Sequence, residues 1–587
     1  MCGIFGFFNN SLVNNENIYI KSMSESLEHR GPDDFQFYKD LMITMGANRF
    51  SITDISNGRQ PFKSRNGQVI CFFNGEIYNH FDLRSKLRAK GYIFNTQCDG
   101  EVIPYLYEEY GYDFLEYLDG MFSICLWDQN KKELVLAVDP FGIKQLYYYH
   151  KNNEFSFSSE IKGLATLPFV DLEIDTQVVH EYLFYKAIFP PKTFFKQINK
   201  LEPSNLLIIR PDGVQKKQYN SKIGKEMNEY PDNTQKLIEI LEEKIIHNTV
   251  TMVPDEVNFG CLLSGGLDSS IITSILSKYT DRKFDVFSIG YPGNLAADER
   301  EYGRRLTKDL GIHLHEVVLK PNEIPALLQN VNESIEEPIQ DPITLPTYKV
   351  IQQASYSNKV LFTGDGSDEL FGGYARYKSF IKSGKEEYFN QLGVCNLNEF
   401  NQIFKLENIP QNSFYNKFVE LDSLEQLMDL EQQTRLPGYH LLRLDKLSMA
   451  HTVEARVPFL RGEIVEIARK LLRTESCIKN NNEKWMLKRA VSEVVPDYII
   501  NRQKKPFTLP INEWIKNELF EFVESTLLAS NSFTQTIISK KQIKEIIMQH
   551  KAGYIDYSHF IWAIVVLNSF VESFKTIKSN KTAKLIY

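Results

Sequence analysis

Apolar and polar positions change their rhythm twice along the chain. Up to about residue 212, apolar residues come in short runs bounded by turn residues. VICFFNGEIYN (69–79) is an apolar run broken by Asn-Gly, and MFSICLWD (121–128) with KKELVLAVD (131–139) has the pattern of a hairpin. LYYYHKNNEFSFSS (146–159) repeats it around a polar turn at Lys151 to Asn153. A helical stretch at 81–91 ends on Gly91. These features predict an α+β unit on antiparallel sheets. Residues 213–233 lose the apolar period and gather Lys, Asn, Gly and Pro, so a linker is expected there. An amphipathic helix follows at 234–250. Then apolar runs at 257–263, 283–290, 313–319 and 358–364 alternate with helical sequence, which predicts a doubly wound parallel sheet. From about 380 to 587 the pattern is mostly helical, with no internal repeat.

Length and charge restrict what such a chain does. Its 587 residues exceed one compact core. A formal net charge of −8 argues against a sequence-independent nucleic-acid binder, which needs a basic surface to displace counterions. There is no apolar run of 18 residues, and MCGIFGFFNN lacks the basic lead of a signal peptide. The seven cysteines are scattered and form no CxxC pair, which suits a reducing cytoplasm better than a disulfide framework or a zinc site. His313 and His315 share a strand face, but without nearby ligands they read as structural.

Cys2 is the first residue with chemical promise. Once Met1 is removed, a free α-amine of pKa about 7.7–8.0 lies beside a thiol of about 8.5, so one residue supplies both nucleophile and base. HRGPDD (29–34), NRFSITD (48–54), NGEIYNH (74–80) and CDGEV (98–102) follow in the same unit. Asn74 and Gly75 offer an amide and a backbone N–H for an oxyanion hole; Arg49 can grip a carboxylate and Asp99 an ammonium. With these motifs the segment resembles a class II glutamine amidotransferase domain of the N-terminal-nucleophile hydrolase fold over about 1–210. The resemblance implies that Cys2 attacks the glutamine amide and releases ammonia. It also implies that Arg49, Asn74, Gly75, Glu76 and Asp99 bind glutamine, with Arg30 beside Cys2. Relatives commonly carry Arg and Pro where DPFGIKQLYY (139–148) has Pro140 and Gln145.

A second site is written in SGGLDSS (264–270), after a strand and at the start of a helix. Gly265 and Gly266 let backbone N–H groups approach a phosphate, and Ser264, Ser269 and Ser270 add hydroxyls. Without the GK[ST] ending this is no Walker loop; the string implies cleavage of ATP to AMP and pyrophosphate. GDGSDELFGGY (364–374) supplies a second acidic loop, and Asp268 with Asp368 form the expected Mg²⁺ pair. This half resembles the synthetase domain of asparagine synthetases. By that resemblance, Leu263, Ile289, Thr363 and Gly364 line the adenine and ribose site, and Asp365 assists formation of the acyl-adenylate. EEPIQDPITLP (336–346), DKLSMAHTVEARVPFL (445–460) and NRQKKPF (501–507) extend the match; Lys504 is the expected cation facing pyrophosphate, and Glu454 with Arg456 are candidates for ordering the acceptor pocket.

Together the two halves imply a cytoplasmic enzyme with a glutaminase domain at 1–212, a linker at 213–233 and a synthetase domain at 234–587. Glutamine, ATP and a carboxylate acceptor, aspartate first, are the expected partners. A homodimer is the assembly the family suggests, and no nucleic acid or membrane is expected. The alternative is the same chemistry on another acid, such as a sugar acid or a secondary-metabolite precursor.

Overall fold

The computed structural model describes residues 2–9, 12, 14–221, 230–293, 299–405, 410–474, 477–479, 482–503 and 508–584, the last ten of these by backbone alone. The N-terminal part holds two six-stranded antiparallel sheets. In the first, the strand Cys2–Phe8 lies between Glu154–Ser158 and Ile43–Arg49. In the second, Val69–Ile77 pairs with Gly120–Asp128, which pairs with Glu133–Val138. Alternation along each strand sets the layers. Ile4 and Phe8 of the first sheet meet Ile70, Phe72 and Trp127 of the second in a shared core. Phe5 and Phe7 face the other way, toward Ile20 and Met23 of the helix Glu16–Ser26. Phe73 and Ile124 pack toward the helices His80–Ala89 and Val102–Tyr110. The expected hairpin at 146–159 turns through Asn152 and Asn153 at φ 51° and 66°, a left-handed pair whose twist matches that of the strands it joins.

The expected linker begins later than its composition suggests. Gly213–Gln218 is the edge strand of the second sheet, paired in register with Asn205–Arg210. Its residues are mostly exposed, so the strand carries Gln and Lys and no apolar period. Residues 222–229 lie outside the described residues.

The second half carries a five-stranded parallel sheet in the order Leu314–Val318, Asp285–Gly290, Phe259–Leu262, Val360–Phe362, Glu454–Arg456. The fifth strand is an addition to the sequence reading; three residues are too few to show a period. Chain order reverses between Phe259–Leu262 and Val360–Phe362, so the two loops leaving their carboxyl ends meet at a topological switch point. The rest is helical. The long helix Ser558–Lys584 is buried over Phe560–Leu567 and binds both halves: its Ala563 carbonyl accepts from the Tyr182 hydroxyl at 2.9 Å, and its Ser569 hydroxyl accepts from Asn332 at 3.0 Å. Among the described residues no helix is long and apolar enough to cross a membrane.

Candidate active site

Strand register builds the first site. Cys2 lies opposite Arg49, and Arg49 opposite Asp34. The Cys2 backbone N–H donates to Asn74 Oδ1 at 2.9 Å, and Asn74 Nδ2 reaches Ser123 Oγ at 3.2 Å. Gly75 follows at φ 154°, where a Cβ would stand 2.0 Å from the Met121 carbonyl oxygen; only glycine lets the chain pass there. Asp99 accepts the Ile77 N–H at 2.7 Å, which turns its carboxylate toward the same corner. The Arg49 guanidinium is held by the carbonyls of Thr53, Asp54 and Ile55, so it is positioned on the backbone of the NRFSITD segment. The sequence therefore named residues that the fold does bring together. It missed Gln60. That side chain donates to Cys2 Sγ at 3.3 Å and to the Phe73 carbonyl at 2.8 Å, while its Oε1 accepts from Phe73 N–H at 2.7 Å. A lone glutamine before a proline carries no sequence signal of this kind.

Burial pushes the Cys2 thiol up, with the positive chain terminus, a Phe50 backbone contact and Arg49 pulling the other way. Glu76 is pushed up to about 8 by burial and by Glu454, with Arg456 opposing. Here the sequence expectation needs correction. Glu454 and Arg456 do not order an acceptor pocket: Arg456 sits 3.2 Å from Glu76 and 2.6 Å from Glu454. Two residues apart on one strand, they share a face, and that face meets the glutamine-binding corner.

Buried charges join the halves. Arg30 is fully buried and binds Glu160 at 2.8 Å and Asp445 at 2.9 Å; Lys144 reaches the other oxygen of Asp445 at 3.2 Å. Glu336 of the EEPIQDP segment accepts from the N–H groups of Ile161 and Lys162 and pairs with Lys446 at 2.6 Å. Glu337 pairs with Lys200 at 2.9 Å. Gln145 donates across the seam to the Pro437 carbonyl at 3.2 Å. Removing one member of such a network strands the others without water. Arg30→Met is therefore expected to lower unfolding free energy by about 3–5 kcal/mol. A melting temperature equal to that of the parent would show that Lys162 and Lys144 suffice.

The second site is a cavity of about 660 Å³ at the switch point. Leu263, Ser264, Gly266, Asp268, Ser269, Ile289, Thr363, Gly364, Asp365 and Asp368 all line it. Gly265 stands just behind the wall at φ 83°, where a Cβ would meet the Glu299 carbonyl oxygen at 2.6 Å. Lys484, absent from the sequence reading, places its ammonium 2.5 Å from both Asp268 and Asp368. Burial lowers its pKa, but the two carboxylates outweigh this and hold it above the ordinary lysine range. Arg502 binds the Gly265 carbonyl and Glu299, fixing the loop from behind. Both cations lie more than 200 residues from the SGGLDSS loop; Arg502 falls in the NRQKKPF segment, where Lys504 is the cation expected to act, and nothing in its local sequence marks Lys484. Asp365 is pushed up by burial, against the pull of Arg443. Lys504 lies outside the described residues.

A Mg²⁺ ion fits the acidic pair. Asp268 and Asp368 present oxygens that converge on one cation, and the Ser367 hydroxyl donates to Asp268 at 2.9 Å. Mg²⁺ on a polyphosphate takes one or two carboxylates and draws its other ligands from phosphate and water. Among the described residues no group of three or more His, Cys, Asp or Glu converges, so the set suits a phosphate-bridged ion better than an all-protein cage.

The geometry thus joins a buried N-terminal thiol to a phosphate-type cavity on a parallel sheet. Comparison with known proteins gives the class: residues 1–220 match the model of the glutamine amidotransferase domain, and residues 243–572 that of asparagine synthase. The chain belongs to the asparagine synthase family. It is 31% identical to "Asparagine synthetase [glutamine-hydrolyzing] 1" of Bacillus subtilis, covering 96% of both chains. A "Putative asparagine synthetase [glutamine-hydrolyzing]" of Mycobacterium bovis is 27% identical, over 93% of this chain and 92% of its own. A similarly named protein of Methanocaldococcus jannaschii is 29% identical over 72% of this chain and 88% of its own. The chain is accordingly an ATP-dependent carbon–nitrogen ligase that uses glutamine as amide donor and a carboxylate as acceptor.

Proposed function

We propose that the chain is a glutamine-hydrolysing asparagine synthetase, with aspartate as the acceptor. The observation that carries the reading is the cavity at the switch point, whose walls hold both the SGGLDSS loop and the Asp365 loop. The names of the relatives, asparagine synthetases, support aspartate. Two domains divide the work, one reaching through the edge strand Gly213–Gln218 and the other over 234–587.

In the first, Cys2 Sγ attacks the side-chain carbonyl carbon of glutamine, its proton passing to the amine that removal of Met1 leaves free. Asn74 and the Gly75 N–H receive the oxyanion; collapse of this tetrahedral adduct expels ammonia, which takes up the proton held by the amine, and leaves a glutamyl thioester that water hydrolyses to glutamate, restoring the thiol. Arg49, Glu76 and Asp99 hold the amino-acid end of the substrate. In the second, the aspartate side-chain carboxylate attacks the α-phosphorus of ATP, forming an aspartyl-adenylate and releasing pyrophosphate. Leu263, Ile289, Thr363 and Gly364 seat the nucleoside. Ser264, Ser269 and the N–H groups of Gly265 and Gly266 receive the phosphates, and Lys484 with Lys504 balances charge on the departing pyrophosphate. Mg²⁺ held by Asp268 and Asp368 would supply further electrostatic stabilisation of the polyphosphate. Asp365, on the wall of the same cavity, assists formation of the adenylate, and ammonia then displaces AMP from the acyl carbon. Ammonia would mostly protonate in bulk water, so a water-poor passage between the two sites is mechanistically useful.

Incubating the chain with glutamine, Mg·ATP and aspartate tests the reading. Equal yields of asparagine, glutamate, AMP and pyrophosphate are expected. Turnover of another acid with aspartate inert would replace aspartate as acceptor while leaving the chemistry in place.

A further inference from the structure

One wall of the synthetase cavity comes from the amidotransferase half. Lys186 ends the helix Thr176–Tyr185 in a left-handed conformation, φ 71° and ψ −1°, that non-glycine residues adopt at a cost. Its backbone is fixed at both ends. The N–H donates to the Tyr182 carbonyl at 2.8 Å, and the carbonyl accepts from the Gln340 N–H at 2.9 Å. With the main chain clamped, the side chain reaches the cavity that also holds Asp365. Among the described residues its ammonium has no ion pair or hydrogen bond.

Arg435 stands beside it. Burial and the neighbouring Arg435 bring Lys186 down to about 7, with Asp341 opposing. The Arg435 guanidinium lies 4.4 Å from the Tyr439 ring centroid and gives one donor to the Tyr185 carbonyl at 3.2 Å. The residue is 5% exposed, yet its Nε is buried without a partner. Neighbouring cations are differently placed: Arg443 is taken by Asp341, and Arg376 by Glu431. Among the described residues neither Lys186 nor Arg435 has a carboxylate at ion-pair distance; Asp341 acts on the first and Glu431 on the second only from farther off, and both acids are already paired with Arg443 and Arg376. Two adjacent buried cations so weakly compensated are unfavourable, and a ligand anion would relieve them.

Resting on the reading above that a carboxylate is adenylated here, we propose that Lys186 and Arg435 bind a second anionic group on the acceptor. The substrate class is then an acid bearing a further carboxylate or phosphate away from the reacting one. Aspartate meets this through its α-carboxylate, and a phosphorylated sugar acid meets it through its phosphate. Because Lys186 belongs to the amidotransferase half, acceptor binding draws on both halves.

Ammonia-dependent synthesis by the full chain, followed as AMP release, tests this on aspartate, aspartate α-amide, galacturonate and galacturonate 1-phosphate. Acids with the second anion should exceed their blocked or unphosphorylated counterparts in kcat/KM by at least about tenfold. The aspartate arm and the phosphate arm separate the two sources of that anion. Lys186→Met and Arg435→Met should each raise the KM of the best acceptor at least about tenfold, with the KM for ATP as internal control. Lys186 faces Arg435, Arg376, Asp341, Cys395 and His559. Since it loses its proton near pH 7, acceptor KM in the parent should rise above that pH, and Lys186→Arg, always charged, should flatten the profile. An acceptor KM unchanged in both Met variants, or a Lys186→Arg profile equal to that of the parent, would overturn the proposal. Absence of turnover with every acid would overturn the acceptor reading itself, and this site with it.

Discussion

Cys2→Ala is expected to abolish glutamine-dependent synthesis, by on the order of 10³-fold or more, and to leave ammonia-dependent synthesis within about twofold of the parent. The asymmetry follows from where the thiol lies. Cys2 touches Asn74 through its backbone and Gln60 through its sulfur, all within the amidotransferase half. None of these residues lines the cavity that holds the SGGLDSS loop. Loss of Sγ removes the atom that carries the glutamyl group in the proposed mechanism, while ammonia supplied from solution enters the synthetase half without it. The Cys2 side chain is small and buried, and alanine keeps both the strand register with Arg49 and the Asn74 bond to the backbone. Parallel assays with glutamine and with ammonium chloride check the outcome. Equal loss of both activities would mean that the first site shapes the second, and the two-site scheme would have to be abandoned.

The residues legible in the sequence are those whose chemistry is local. Cys2, Asn74 and Gly75, and the SGGLDSS string, gain their meaning from neighbours within a few positions. The pairing of Cys2–Phe8 with Ile43–Arg49 then sets Cys2 opposite Arg49, and that register comes from the fold. The antiparallel strands were legible for the same local reason, since most are apolar runs bounded by turn residues a few positions away. Residues that act across the chain carried no such mark. Lys484 lies between Asp268 and Asp368, Arg502 behind Gly265, and Gln60 against Cys2. Each is an ordinary polar residue until the fold supplies its partner. Glu454 and Arg456 show the converse error. VEARVP was readable as a motif, but its strand is only three residues long, and which pocket it faces depends on pairing with Val360–Phe362. Gly213–Gln218 failed for another reason: an edge strand with exposed faces has no apolar period to read.

Asp268→Asn is expected to remove glutamine-dependent and ammonia-dependent synthesis alike, by on the order of 10²–10³-fold, while glutamine hydrolysis persists. The sign of this prediction distinguishes two electrostatic pictures of the phosphate loop. Lys484 supplies one positive charge between two carboxylates, so the trio is net negative beside a strongly anionic triphosphate. Without a further cation the carboxylates repel the substrate, and the neutral asparagine variant would bind ATP more tightly. With Mg²⁺ shared between the acids and the polyphosphate, the same change removes an ionic ligand and frees Lys484 from half of its pairing. ATP affinity then weakens, and the Mg²⁺ concentration needed for half-maximal ATP binding rises. Calorimetric titration of ATP at several Mg²⁺ concentrations reads the difference without relying on turnover. Tighter ATP binding by Asp268→Asn at every Mg²⁺ concentration would move the metal away from this pair. The carboxylates would then act through Lys484 alone, with Ser367, the hydroxyl donor to Asp268, the next residue whose removal should alter its position.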